Sequence, residues 1–66
     1  MARELELKGG RYWILSEPYQ EGWKAVALEV REDGTTDALG IEATAETRSA
    51  ADDAAERKLR RLLGAY

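Results

Sequence analysis

Thr47-Arg48-Ser49-Ala50-Ala51-Asp52-Asp53-Ala54-Ala55-Glu56-Arg57-Lys58-Leu59-Arg60-Arg61-Leu62 is the stretch in which the apolar period of the chain changes, and that change decides the fold. Ala51, Ala55, Leu59, Leu62 and, further on, Tyr66 recur at helical spacing and draw one apolar stripe along a helix. Thr47 or Ser49 can supply the cap. Ser49 followed by Asp52 has the spacing of a capping box, and Asp52-Asp53 suit the positive end of the helix dipole while Arg57, Lys58, Arg60 and Arg61 suit the negative end. Asp53 with Arg57 and Glu56 with Arg60 are favourable one-turn pairs, and Gly64 ends the helix.

Upstream of Thr47 the period is two. Ala38 to Ala45 places Leu39, Ile41 and Ala43 on one side, and Asp33-Gly34 marks the turn before it. Trp23 to Arg31 reads as the longest strand, with Val26, Leu28 and Val30 alternating with Ala25, Ala27 and Glu29. Pro18 is expected to end the preceding strand and Tyr19-Gln20-Glu21-Gly22 to form the loop. Glu4 to Lys8, Gly9-Gly10 and Arg11 to Leu15 have the pattern of a hairpin. With the two glycines as its turn, Leu7 lies opposite Tyr12 and Leu5 opposite Ile14, which sends Trp13 and Leu15 to the other face. The segment at residues 4–8 reads either as a strand or as a frayed edge.

These elements predict one domain over residues 1–66, of the two-layer α+β class: an antiparallel meander of three to four strands packed on a single C-terminal helix. One sheet face is then left uncovered. Trp13 and Leu15, or failing them Tyr12 and Ile14, are expected there together with Ala25 and Ala27, and Trp13, Leu15, Ala25 and Ala27 form the candidate interface. Of Trp13 and Trp23, one is expected in the core and one at the surface.

A chain of 66 residues lies near the lower size at which a domain buries enough apolar surface to fold alone. The sequence has no cysteine and no histidine, so disulfides and the commonest metal ligands are not among the means of reinforcing it. A homodimer is the expected reinforcement. The lack of a disulfide framework favours a cytoplasmic location, and no apolar run approaches the roughly 18 residues of a membrane span.

The same composition argues against catalysis. General acid–base chemistry near neutral pH draws most often on histidine, and nucleophilic chemistry on cysteine or on a serine beside a base. Ser16 reads as a strand residue and Ser49 as a cap. Asp52, Asp53 and Glu56 read as dipole and ion-pair residues rather than metal ligands, and Glu32-Asp33-Gly34-Thr35-Thr36-Asp37 lacks the spacing of a calcium loop. The glycines are scattered and form no phosphate-binding loop, so no cofactor is expected. Arg57, Lys58, Arg60 and Arg61 form the candidate basic patch, but a net charge of −3 disfavours nucleic acid and anionic membrane as partners.

The stretch from Gly40 to Ala55 resembles the HicB-like antitoxin family. Gly40, Thr47, Ala51, Ala55 and Leu59 fall at the spacing of a strand-ending glycine, a threonine cap and an alanine-spaced helix. The resemblance spans roughly residues 11–63 without a DNA-binding segment, and it implies a β-β-β-α domain that binds a small toxin-like protein. Thr47 to Ala55 also resembles the last helix of the double-stranded RNA-binding domain. There lysines meet phosphates, whereas here Asp52 and Asp53 stand at that end, so the similarity implies a shared topology more than RNA binding.

Overall fold

The computed structural model describes residues 2–64 and shows the order β1 (Ala2–Leu7), β2 (Gly10–Tyr19), β3 (Gly22–Val30), β4 (Thr36–Ala45) and α1 (Arg48–Leu63). The strands form one antiparallel sheet in chain order, and α1 covers one of its faces. The expected α+β meander is therefore present with four strands, the segment at residues 4–7 forming part of β1 and Lys8 the turn after it. Tyr66, at the end of the apolar stripe, lies outside the described residues.

The first hairpin turns on Lys8 and Gly9 rather than on the two glycines. Both adopt positive φ, 48° and 77°, as a tight two-residue turn between twisted strands demands. Leu7 consequently pairs with Gly10, Leu5 with Tyr12 and Arg3 with Ile14. The register moves by two residues relative to the glycine-turn reading, and because the side-chain period is also two, every side chain keeps its face.

Pro18 does not end β2. It pairs with Trp23, and the chain reverses at Gln20-Glu21. Proline is tolerated there because, among the described residues, the β1–β2 pairing runs only as far as Leu15, so Pro18 lies outside it and loses no ladder hydrogen bond to β1. The register that follows pairs Ile14 with Ala27 and Ser16 with Ala25.

This register corrects the expected composition of the uncovered face. Ala25 and Ala27 are fully buried beneath the helix with Ile14, and it is Val26, Leu28 and Val30 that share the open face with Trp13 and Leu15. The physical reason is the helix. Its inner stripe is Ala51, Ala55 and Leu59, all fully buried, and alanines on the sheet let that stripe approach closely. Leu7, Tyr12 and Ala43 complete the core, with Leu5, Trp23, Leu39, Ile41 and Leu63 packed at its margin. Trp23 is thus the core tryptophan and Trp13 the one on the open face.

In β4 the pairing slips between Val26–Glu42 and Leu28–Ala38, so that Leu39, Gly40 and Ile41 stand against Ala27 alone. Gly40 takes φ 74° within this bulge, a conformation costly for any residue with a Cβ. The helix cap is Thr47, whose side chain accepts from the Ala50 amide at 3.1 Å. Asp52 and Asp53 therefore sit two residues further in than a Ser49 cap would place them. Gly64, at φ 72°, closes the other end.

The seam between helix and sheet has no room for larger groups. Ala27→Leu is expected to destabilise the fold by about 1–3 kcal/mol, while Val26→Ile on the opposite face changes stability by less than about 0.5 kcal/mol. Urea unfolding of the two variants checks this, and the reverse order would contradict the assignment of faces.

Candidate functional site

Side chains alternate across a strand, so the paired residues define what the open face presents. Leu15 stands beside Val26, and Trp13 beside Leu28, which makes an apolar quartet over the two central strands. Val30 and Ala38 extend it. None of these six packs against the core beneath the helix. Leu15 remains 37% exposed, while Trp13, Val26, Leu28 and Val30 are half-buried only by one another and their neighbours in the sheet.

In the middle of β3, Val26 and Leu28 are therefore on the face without a helix, while Ala25 and Ala27, with Trp23 at their margin, are on the face with one. In a one-sided sheet the distribution is ordinarily the reverse. Of the four residues expected on the uncovered face, Trp13 and Leu15 are on it. Ala25 and Ala27 are not, and Val26 and Leu28 take their place beside the two.

Charged groups surround the quartet. Glu4 and Glu6 flank it from β1, Arg11 and Glu17 from β2, Lys24 from β3 and Glu42 from β4. Trp13 Nε1 donates to Glu4 Oε1 at 3.1 Å, which fixes the indole with its apolar surface available. Lys24 Nζ lies 3.2 Å from Glu42 Oε2 and 5.2 Å from the centroid of the Tyr19 ring. The hydrogen bond and charge of Glu42 hold the Lys24 ammonium above the ordinary lysine range. An apolar centre with a polar, partly ordered rim is the anatomy of a protein–protein contact.

The basic residues of the helix do not converge in the same way. Lys58 Nζ donates to the Glu42 carbonyl oxygen at 2.9 Å, on the β4 side. Arg60 Nε donates to Glu56 Oε2 at 3.0 Å, and Glu56 also takes Arg3 at 3.0 Å, which ties β1 to the helix. Asp53 accepts from Arg3 at 2.9 Å rather than pairing with Arg57. Arg57 and Arg61 are left on the solvent side, one turn apart. Two members of the candidate patch are thus engaged within the fold, on different sides of the helix.

Ser16 accepts from Arg48 Nε at 3.1 Å, and the Arg48 guanidinium lies 5.6 Å from the centroid of the Trp23 ring. This joins the start of the helix to the end of the sheet. Beside it, an open depression of about 500 Å³ is lined by Tyr19, Glu21, Trp23, Thr44 and Glu46. Asp52 is nine-tenths buried, and its Oδ1 has no hydrogen-bond partner. Sequence reading had no means to find this, since Asp52 looked like a cap residue.

The 32–37 loop is a turn closed by its own side chains. Asp33 Oδ1 accepts from the Thr35 hydroxyl at 2.7 Å and from the Thr35 amide at 3.0 Å, while Arg31 pairs with Asp37. The Thr35 hydroxyl first, and its amide second, hold the Asp33 carboxyl below the ordinary aspartate range. A depressed value stabilises the fold above the unfolded-state pKa, and that contribution is lost as pH falls through the folded one. Thr35→Ala is expected to bring the Asp33 titration back toward the ordinary range in an NMR pH series. An unchanged midpoint would show that the hydroxyl is not the cause.

No protein-family model, curated protein or solved structure matches the chain, so the reading of this surface rests on its own chemistry.

Proposed function

We propose that this protein is a non-catalytic protein-interaction module that works through the open face of its sheet. The observation that carries the reading is the placement of Trp13, Leu15, Val26 and Leu28 on the face without a helix, while alanines line the face beneath one. A sheet surface of this composition, ringed by charge, is stabilised when another protein surface excludes water from it. The resemblance to the HicB-like antitoxin family supplies a class of partner, a small toxin-like protein, while the lack of a disulfide framework supports a cytoplasmic setting and the small size of the chain a homo-oligomer.

A function in RNA binding, through Arg48 and the Arg57 to Arg61 cluster, finds less support. Lys58 and Arg60 are engaged within the fold, and the open face carries Glu4, Glu6, Glu17 and Glu42 against Arg11 and Lys24. Carboxylates in excess repel a phosphate backbone.

The test is an affinity pull-down from native lysate with the tagged wild-type chain and with Leu28→Glu, each shown to be folded by circular dichroism. A protein retained by the wild type at fixed stoichiometry and lost with Leu28→Glu is the expected result. Identical retention by both would remove the open face from the function. A strongly salt-dependent affinity for duplex RNA, abolished by Arg57→Glu with Arg61→Glu, would replace the proposal with the RNA reading.

A further inference from the structure

We infer that the surface covering the open face is a second copy of this chain, packed sheet against sheet about a two-fold axis; this rests on the interaction-module reading above and places the second copy, instead of a toxin-like protein, on that face. The argument is one of symmetry. A two-fold contact must bring each residue against a counterpart from the same patch, so the patch has to be its own complement. Two axes in the plane of the interface are available to stacked sheets, one along the strands and one across them.

An axis along the strands, between β2 and β3, exchanges the residues paired across those two strands. Trp13 of one copy then meets Leu28 of the other, Leu15 meets Val26, and Glu17 meets Lys24. At the margins Glu4 faces Ala38 and Glu6 faces Thr36, because these share rows of the sheet. An axis across the strands, between the rows of Leu15 and Trp13, sets Leu15 on Trp13 and Val26 on Leu28. It sets Glu17 on Arg11 and Glu42 on Ala38. Under either axis the apolar quartet covers itself, no carboxylate of these rows faces another, and Glu17, which is exposed, acquires a cation across the interface. Stacking like charges would cost the contact its specificity, so this pattern favours the second copy over an unrelated apolar surface.

Size agrees with the same occupant. Strands of six, ten, nine and ten residues in a four-stranded sheet give each face a footprint of roughly 550 Å² at the usual strand spacing and rise. Two copies together bury roughly 1,100 Å², which clears the approximate 1,000 Å² expected of a specific interface. The single copy is thin, 17 Å along its shortest axis, and stacking the open faces would turn two one-sided sheets into a sandwich between two helices.

Sedimentation equilibrium over a concentration series tests this, with circular dichroism confirming that each variant is folded. The wild type is expected at twice the 7.4 kDa chain mass. Glu17→Arg, a rim change on an exposed residue, is expected to weaken dimerisation about tenfold or more by setting like charges face to face. Adding Lys24→Glu restores the dimer if the axis runs along the strands, and adding Arg11→Glu restores it if the axis runs across them. A monomeric wild type at millimolar concentration, or a dimer indifferent to Glu17→Arg, or rescue by neither second change, overturns the inference. A monomer that still loses its lysate partner with Leu28→Glu overturns the second copy alone and leaves the interaction module standing.

Discussion

The close approach of one alanine stripe to another is the constraint on which this fold depends. Ala51 and Ala55 on the helix meet Ala25, Ala27 and Ala43 on the sheet, and all five are buried. Dispersion contacts are summed over many short distances, so a seam of small residues gains by proximity what it lacks in surface area. Ile14 and Leu59 are the largest side chains that are completely enclosed, and they lock the position of the helix along the sheet. Everything else, including which residues face outward, follows from where that seam lies.

A core built on alanine buries few methylene groups. Each buried methylene contributes about 0.8 kcal/mol, and a domain of this size has little margin against the conformational entropy of folding. Trp13, Leu15, Val26 and Leu28 are on the other face, where they contribute little while water reaches them. The open-face quartet would therefore add hydrophobic free energy to this domain only if another surface covered it. Peripheral ties act in the same direction on a smaller scale. Arg3 bridges β1 to Asp53 and Glu56, and Lys58 reaches the Glu42 carbonyl from the helix. Both lie near solvent, where such contacts are worth about 1 kcal/mol or less.

The turns set which residues share a face, and they account for the one place where sequence reading misassigned the interface. Moving the first hairpin from Gly9-Gly10 to Lys8-Gly9 altered no face, because the shift was even. The second hairpin mattered more. Taking Pro18 as the end of β2 left the register of β2 and β3 undetermined, and Ala25 and Ala27 were then grouped with Trp13 and Leu15. Once Gln20-Glu21 is seen as the turn, Trp13 must pair with Leu28, and the alanines must lie beneath the helix. The missing information was the reach of β1, whose pairing with β2 runs, among the described residues, only as far as Leu15 and so leaves Pro18 outside it.

By itself the sequence determined the kind and order of the elements, the helical step of the apolar stripe and the stop at Gly64, and it narrowed the cap to Thr47 or Ser49 and the open-face residues to Trp13 and Leu15 or Tyr12 and Ile14. These are legible because periodicity, turn chemistry and capping act over a few neighbouring residues. Only the tertiary structure decided that Val26 and Leu28 join Trp13 and Leu15, that the basic residues of the helix diverge to different sides, and that Asp52 is buried rather than capping. Those outcomes depend on pairings between segments far apart in the chain, where an alanine and a valine at adjacent positions exchange roles according to which side the helix packs on.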